Sequence, residues 1–249
     1  SSSLVSYVSK TNHVMQFQPL VPFMYKIVRE AAVQLQEETA ASLGLECFVD
    51  LALSQAPILK GHVGPLGKFA LELGINRQCD IFLRDAALQV IINLCESKPK
   101  SMGKAFGLNV QQAGGLMREI VTALIQMCME VDGDQPLDLG RVVGEGEDED
   151  EDEDDGNRTP SNIALFCLDR LAIVMPNKCV YPVARDACLA GISSNKPRAV
   201  SASLFSFGAI AEGCSGAVMD ELNQLMPIIL SCANHTDQRV LGALCYALT

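Results

Sequence analysis

Apolar residues recur every three or four positions along most of this chain, and the strict alternation of a surface strand is almost absent. In "EETAASLGLECFVDLALSQAP" (37–57), Leu43, Cys47 and Leu51 share this spacing with Leu45 and Phe48, and Pro57 follows the run. "FLRDAALQVIINLCESKP" (82–99) repeats it with Ala87, Val90, Ile91 and Leu94, ending on Pro99. "SNIALFCLDRLAIVMP" (161–176) does so again with Ala164, Leu168, Leu171 and Pro176. A fourth run is "PRAVSASLFSFGAIAEGC" (197–214), and a fifth begins at "DQRVLGALCYAL" (237–248). Between them lies a second class of helix: "PLVPFMYKIVREAAVQLQ", "GHVGPLGKFALELGI", "GLMREIVTALIQMCME", "YPVARDACLAGIS" and "ELNQLMPIILSCA". Proline opens several of these and is tolerated in a first helical turn, where its missing N–H had no partner.

The runs keep a period. Pro57 and Pro99 are 42 residues apart, and Pro99 and Pro176 are 77 apart, one period plus 35 surplus residues. The chain therefore alternates an A helix and a B helix about five times, at roughly 40 residues per pair, the signature of HEAT or armadillo repeats. One pair cannot bury its own apolar face, so stacked neighbours close a continuous core. The expected fold is all-α: an α-solenoid of about five HEAT repeats across residues 1–249, with an acidic loop inside one repeat.

That loop is the surplus. It falls between the third A helix (about 112–130) and its B helix (from Ser161), and residues 132–160 are expected to be a disordered insertion. Lengthening a connection there costs little entropy and disturbs neither stacking face. Thr159-Pro160-Ser161 then restarts the helix, with Thr159 or Ser161 as cap. Ten of the eleven residues from Glu145 to Asp155 are acidic, and they account for nearly all of the net charge of −11. Elsewhere 20 acidic residues face 19 basic ones, so the acidity is local. Such a run cannot pack and is a solvated linker or an electrostatic receptor for Lys/Arg-rich segments. On the concave side of a helical superhelix, the receptor reading is favoured.

Other chemistry is sparse. Ten cysteines occur without any CxxC, mostly inside apolar helical runs, which points to free thiols in a reducing, intracellular setting. The sequons at Asn157 and Asn234 then carry no glycan. No apolar run reaches the roughly 18 residues of a membrane span, and no signal peptide is expected. The open helical pattern at the end and the missing starting Met suggest a piece of a longer chain. His13, His62 and His235 are scattered near helix boundaries with no metal-ligand spacing. "GRVVGEGEDE" lacks the Lys-Ser/Thr of a phosphate loop, and "EGCSGA" (212–217) reads as the turn that ends the fourth B helix. No cysteine shows an activating neighbour, so no catalysis, cofactor or metal is expected. Nucleic acid is not expected as a direct ligand, because the longest basic cluster is "SKPKSMGK" (97–104) and Trp is absent.

The stretches "FQPLVPFMYKIV" (17–28), "CFVDLALSQAPIL" (47–59) and "FLRDAALQVIINLCESKPKSM" (82–102) carry a resemblance. So do the acidic loop with "NIALFCLDRLAIVMP" (162–176) and residues 203–248. Together they resemble the importin-β (karyopherin-β) nuclear transport receptors, and within them the importin-4 type. The resemblance implies a central fragment of a receptor that shuttles between cytoplasm and nucleus. Such a receptor wraps very basic cargo, such as histones and ribosomal proteins, releases it to Ran-GTP, and also meets nucleoporin repeats. It assigns cargo or Ran contact to Glu145, Glu147, Asp148, Glu149, Asp150, Glu151, Asp152, Glu153, Asp154 and Asp155. B helices line the inner face in that family, which adds Asp50, Asn93 and Asp169. The alternative is a static HEAT scaffold in a multiprotein enzyme complex, indifferent to the acidic run.

Overall fold

The computed structural model describes residues 14–54, 57–105, 115–130 and 159–249, and among them there is no β-strand. The chain divides into two units, Ser1–Leu116 and Met117–Thr249.

In the first unit a 3-10 turn, Val14–Leu20, leads into α1 (Val21–Arg29), with Pro22 in its opening turn. The chain continues as a π-turn, Glu30–Leu35, and stops at Gln36, a non-glycine residue at φ 54°. The helix expected over 19–36 is thus three helical types end to end. Next come α2 (Glu38–Leu53), α3 (Val63–Gly74), α4 (Ile81–Ser97) and the short α5 (Pro99–Ala105), which the periodicity does not predict. Asp80 caps α4 by accepting from the Phe82 N–H at 2.8 Å, meeting one of the unpaired donors of the first turn. α2 packs on α4, and α4 on α3. Their shared core holds Leu45, Phe48, Leu66, Leu83, Leu88, Ile91 and Leu94, with the rings of Tyr25, Phe48 and Phe69 5.6–6.3 Å apart. Leu43 departs from its sequence stripe: it is 56% exposed, and the buried face of α2 runs through Ala41, Leu45, Phe48 and Ala52.

The second unit holds α6 (Leu116–Met127), α7 (Pro160–Val174), α8 (Asn177–Ile192), α9 (Pro197–Ala211), α10 (Ser215–Ser231) and α11 (Gln238–Leu248). α9 is buried on nearly every side, against α7, α8 and α11. Its small residues permit this. Ser201, Ser203 and Ser206 are all buried, and a Cβ on Gly191 of α8 would lie 1.9 Å from the Ser203 hydroxyl. Proline placement differs from expectation in α8, whose sequence pattern predicts an opening at Tyr181-Pro182. Pro182 of α8 and Pro227 of α10 sit inside their helices, not in opening turns. Each removes an N–H, leaving the carbonyls of Lys178 and Asn223 without their usual intrahelical donor.

The repeat period is visible in space within each unit. Arg29 of α1 pairs with Glu72 of α3, 43 residues on. The Glu38 carboxylate accepts from the Asp80 N–H, 42 residues on. In the second unit Tyr181 of α8 donates to Glu221 of α10, 40 residues on, and Arg185 clamps the same carboxylate at 2.7 Å. Equivalent helices one period apart are therefore lateral neighbours, as stacked helix pairs require.

Candidate functional site

The residues flanking the acidic insertion are fixed by local chemistry. Thr159 has extended backbone, and its hydroxyl oxygen accepts from the Asn162 N–H at 3.2 Å, so Thr159 is the cap of α7 and Pro160 its first helical residue. Ser161 is not a cap. It is buried, and its hydroxyl donates toward the carbonyls of Cys128 (3.2 Å) and Glu130 (3.3 Å) at the end of α6. The Cys128 thiol beneath accepts from Ser206 of α9 at 3.7 Å, and full burial pushes it up to about 12. The last described residue before the insertion and the first ones after it are thereby tied together. Of the stretch expected as an insertion, Thr159 and Pro160 belong to α7. The ten acidic residues Glu145 to Asp155 lie outside the described residues, as does His13.

Further along α7, Asp169 is half-buried. Burial raises its carboxyl above the ordinary range, the negative charge of Glu212 raises it further, and Arg170 pulls it back. Glu212 comes from the turn after α9, and glycine brings that turn close. A Cβ on Gly213 would sit 2.5 Å from the Ala172 carbonyl carbon and 2.7 Å from the Ile173 N, so only glycine lets the turn rest on the α7 backbone. The same approach sets Glu212 beside Asp169. Tyr246 of α11 borders the group, its phenol raised by burial and then by Asp169. Phe166 and Ile173, one on either side of Asp169 along α7, are 49% and 50% exposed.

The other polar residues suggested on B helices behave differently. Asp50 and Asn93 are half-buried on α2 and α4, and the Asn93 amide turns back to the Gln89 carbonyl of its own helix at 2.8 Å. Glu212 was not among the residues that the sequence suggested. Its signal was available, since it follows Asp169 by 43 residues, one repeat period.

Chemically, Asp169 and Glu212 form an electronegative edge with apolar neighbours, suited to a lysine or arginine side chain. Among the described residues no group of three His, Cys, Asp or Glu side chains could hold a metal ion. His62 instead shares a 2.8 Å hydrogen bond with the Tyr25 hydroxyl, and His235 Nδ1 accepts from the Asp237 N–H. All ten cysteines are free thiols. Among the described residues no helix is long and apolar enough to cross a membrane.

No family model matches the chain, and no curated protein matches its sequence. Solved structures do match. Kap121p bound to RanGTP aligns with a TM-score of 0.78 over 98% of this chain, at 17% identity, and this chain spans 23% of that one. Kap121p bound to Nup53p gives 0.78 at 17% identity, over 98% of this chain and 22% of that chain. The fold is that of the karyopherin Kap121p. It is an all-α solenoid of HEAT repeats, importin-β-like in architecture. A Kap121p variant with lysine at three acidic positions, 43 and 42 residues apart, matches equally over 98% of this chain and 22% of that one (TM-score 0.78, 16% identity). This chain spans less than a quarter of the length of these proteins.

Proposed function

We propose that this chain is the cargo-holding part of a nuclear import receptor of the karyopherin-β kind. The observation that carries the reading is the carboxylate pair Asp169 and Glu212, set together from α7 and the turn that Gly213 rests on the α7 backbone. Its 43-residue spacing matches that between two of the acidic positions replaced by lysine in the Kap121p variant. The acidic run Glu145–Asp155 precedes α7 in sequence, and the first residue of that helix, Pro160, lies about 14 Å from Asp169 at about 1.5 Å per residue. A run of ten acids raises the local concentration of basic segments, and the pair then holds individual Lys or Arg side chains. Basic cargo of the histone or ribosomal-protein kind, as in the importin-4 type, fits this arrangement. Solved complexes of Kap121p with RanGTP and Nup53p support the further proposal that Ran-GTP releases the cargo and that nucleoporins are met in transit between cytoplasm and nucleus. The chain's part is binding, without catalysis or a cofactor.

The test is fluorescence anisotropy of a labelled histone tail against the 249-residue chain at low and moderate salt. Asp169→Asn/Glu212→Gln and a variant with 145–155 replaced by Gly and Ser are expected to lose most of the salt-sensitive affinity. Unchanged binding by both variants would overturn the reading and favour a static scaffold.

A further inference from the structure

Of the eleven prolines in the chain, only Pro160 follows a serine or threonine. Thr159 is exposed, and its backbone is extended at φ −95° and ψ 153°, the conformation that a following proline favours. Pro160 is the first helical residue of α7, where its missing N–H had no partner in any case. One neutral hydrogen bond holds the Thr159 hydroxyl, from the Asn162 N–H at 3.2 Å, at a helix end where local opening costs least. Proline also opens α9, but the residue before it there is Lys196, which makes no side-chain cap. Two other B helices begin on a carboxylate. Asp80 accepts from the Phe82 N–H at 2.8 Å, and Asp237 from the Arg239 N–H at 2.9 Å. Thr159 holds the same position at the start of α7 with a neutral oxygen.

We propose that Thr159 is a phosphorylation site for a proline-directed protein kinase, and that its phosphate becomes an anionic cap of α7. The inference stands apart from the basic-cargo reading. In the transfer, the Thr159 Oγ1 attacks the γ-phosphorus of ATP. The new O–P bond forms as the bond from that phosphorus to the bridging oxygen breaks, and ADP leaves with the electron pair. The hydroxyl proton passes to the general base of the kinase. Proline after the acceptor suits an apolar pocket, because any other residue there would bury an N–H without a partner. The product carries about −1.5 to −2 charges at neutral pH. α7 offers it two donors. The N–H groups of Ser161 and Asn162 have no place in the intrahelical ladder, whereas the Ile163 N–H is taken by the Thr159 carbonyl at 3.1 Å. The helix dipole favours an anion at this end as well. The modification thus turns a neutral cap into one of the kind that Asp80 and Asp237 supply.

In the test, the 249-residue chain is incubated with a proline-directed kinase and Mg-ATP, and the phosphate is located by mass spectrometry of proteolytic fragments. One phosphoryl group at Thr159 is expected, retained in Thr159→Ser and lost in Thr159→Val and Pro160→Ala. Pro160→Ala keeps the hydroxyl and the cap, so its loss separates recognition of proline from damage to the fold. In the phosphorylated chain the Ser161 and Asn162 amides are expected to exchange with solvent about fivefold more slowly than in the unmodified chain, the effect of a favourable charge in the first turn. No incorporation at Thr159 overturns the inference, as does incorporation there that persists in Pro160→Ala. A phosphate at Thr159 that leaves both amides exchanging at the unmodified rate overturns the cap.

Discussion

Two A-to-B junctions in this chain solve one problem by opposite means. Between α3 and α4 the connection is six residues long, and the carbonyl of Gly74 at the end of the A helix accepts from the Nε of Arg84 at 2.9 Å. Arg84 is only 5% exposed, so a buried cation pins the two helices from within. Between α6 and α7, 32 residues (128–159) intervene, and the end-of-helix carbonyls of Cys128 and Glu130 are met by the Ser161 hydroxyl. A guanidinium on a long stem reaches back to one carbonyl. A serine two residues inside the next helix serves two. The hydroxyl fixes the gap between helix ends whatever the length of chain between them, so this junction can carry an insertion.

The largest expected effect comes from breaking the first pin. Arg84→Ala deletes a charge-assisted hydrogen bond and the packing of the stem, and should cost about 3 kcal/mol in urea-denaturation midpoints. Arg84→Met keeps the stem and should recover part of that. If the two variants are equally destabilised, the pin acts through its hydrogen bonds alone; if neither is destabilised, it does not hold the junction.

Ser161→Ala tests the second junction and should cost less, about 1 to 2 kcal/mol, because a neutral hydroxyl is lost and two carbonyls forfeit one donor. The loss should be the same with the insertion intact or shortened. A loss that appears only with the insertion intact would mean that Ser161 resists strain from the inserted chain.

Shortening 131–158 to seven Gly/Ser residues cuts the connection from 32 residues to 11, about one and a half halvings. At about 0.6 kcal/mol per doubling, the second unit should gain about 1 kcal/mol. A net loss of stability would show that the insertion contributes contacts of its own, and the comparison between the junctions would then rest on more than Ser161.

The contrast between these junctions also marks what could be read from sequence. Period and helix class were legible, because Pro57, Pro99 and Pro176 punctuate amphipathic runs whose spacing no single-helix effect produces. Thr159 as a cap was legible too, from the Thr-Pro-Ser restart of the helix. Leu43 was not, because α2 carries apolar residues on two faces and only its neighbours decide which face is buried. Pro182 misled because the turn that precedes it, Asn177 to Tyr181, has too little apolar pattern to announce a helix. Asp169 was named through family resemblance, whereas Glu212, one repeat period on, sat inside a small-residue turn. Its position depends on the backbone contact between Gly213 and Ala172–Ile173, a tertiary fact that no local pattern encodes.

The smallest effect sharpens the comparison at a third junction, where α10 passes to α11. Asp237 caps α11 by accepting from the Arg239 N–H at 2.9 Å, and its carboxylate also takes the Arg239 guanidinium at 2.7 Å. Here cap and cation lie two residues apart and both are near the surface, unlike the buried Arg84. The Arg239 side chain first, then its backbone N–H, hold the Asp237 carboxyl down to about 2. Because the folded value lies below the unfolded one, its contribution to stability is complete above about pH 4 and fades as the pH falls toward 2. Asp237→Asn keeps a capping oxygen without the charge. The stability gap between the two proteins should therefore be constant near neutral pH and close between about pH 4 and pH 2 in urea titrations. A gap that stays constant across that range would mean that the cap works through its hydrogen-bond geometry and not its charge. The junction would then belong with Ser161, held by a neutral acceptor or donor, and Arg84 would stand alone as a junction that depends on a cation.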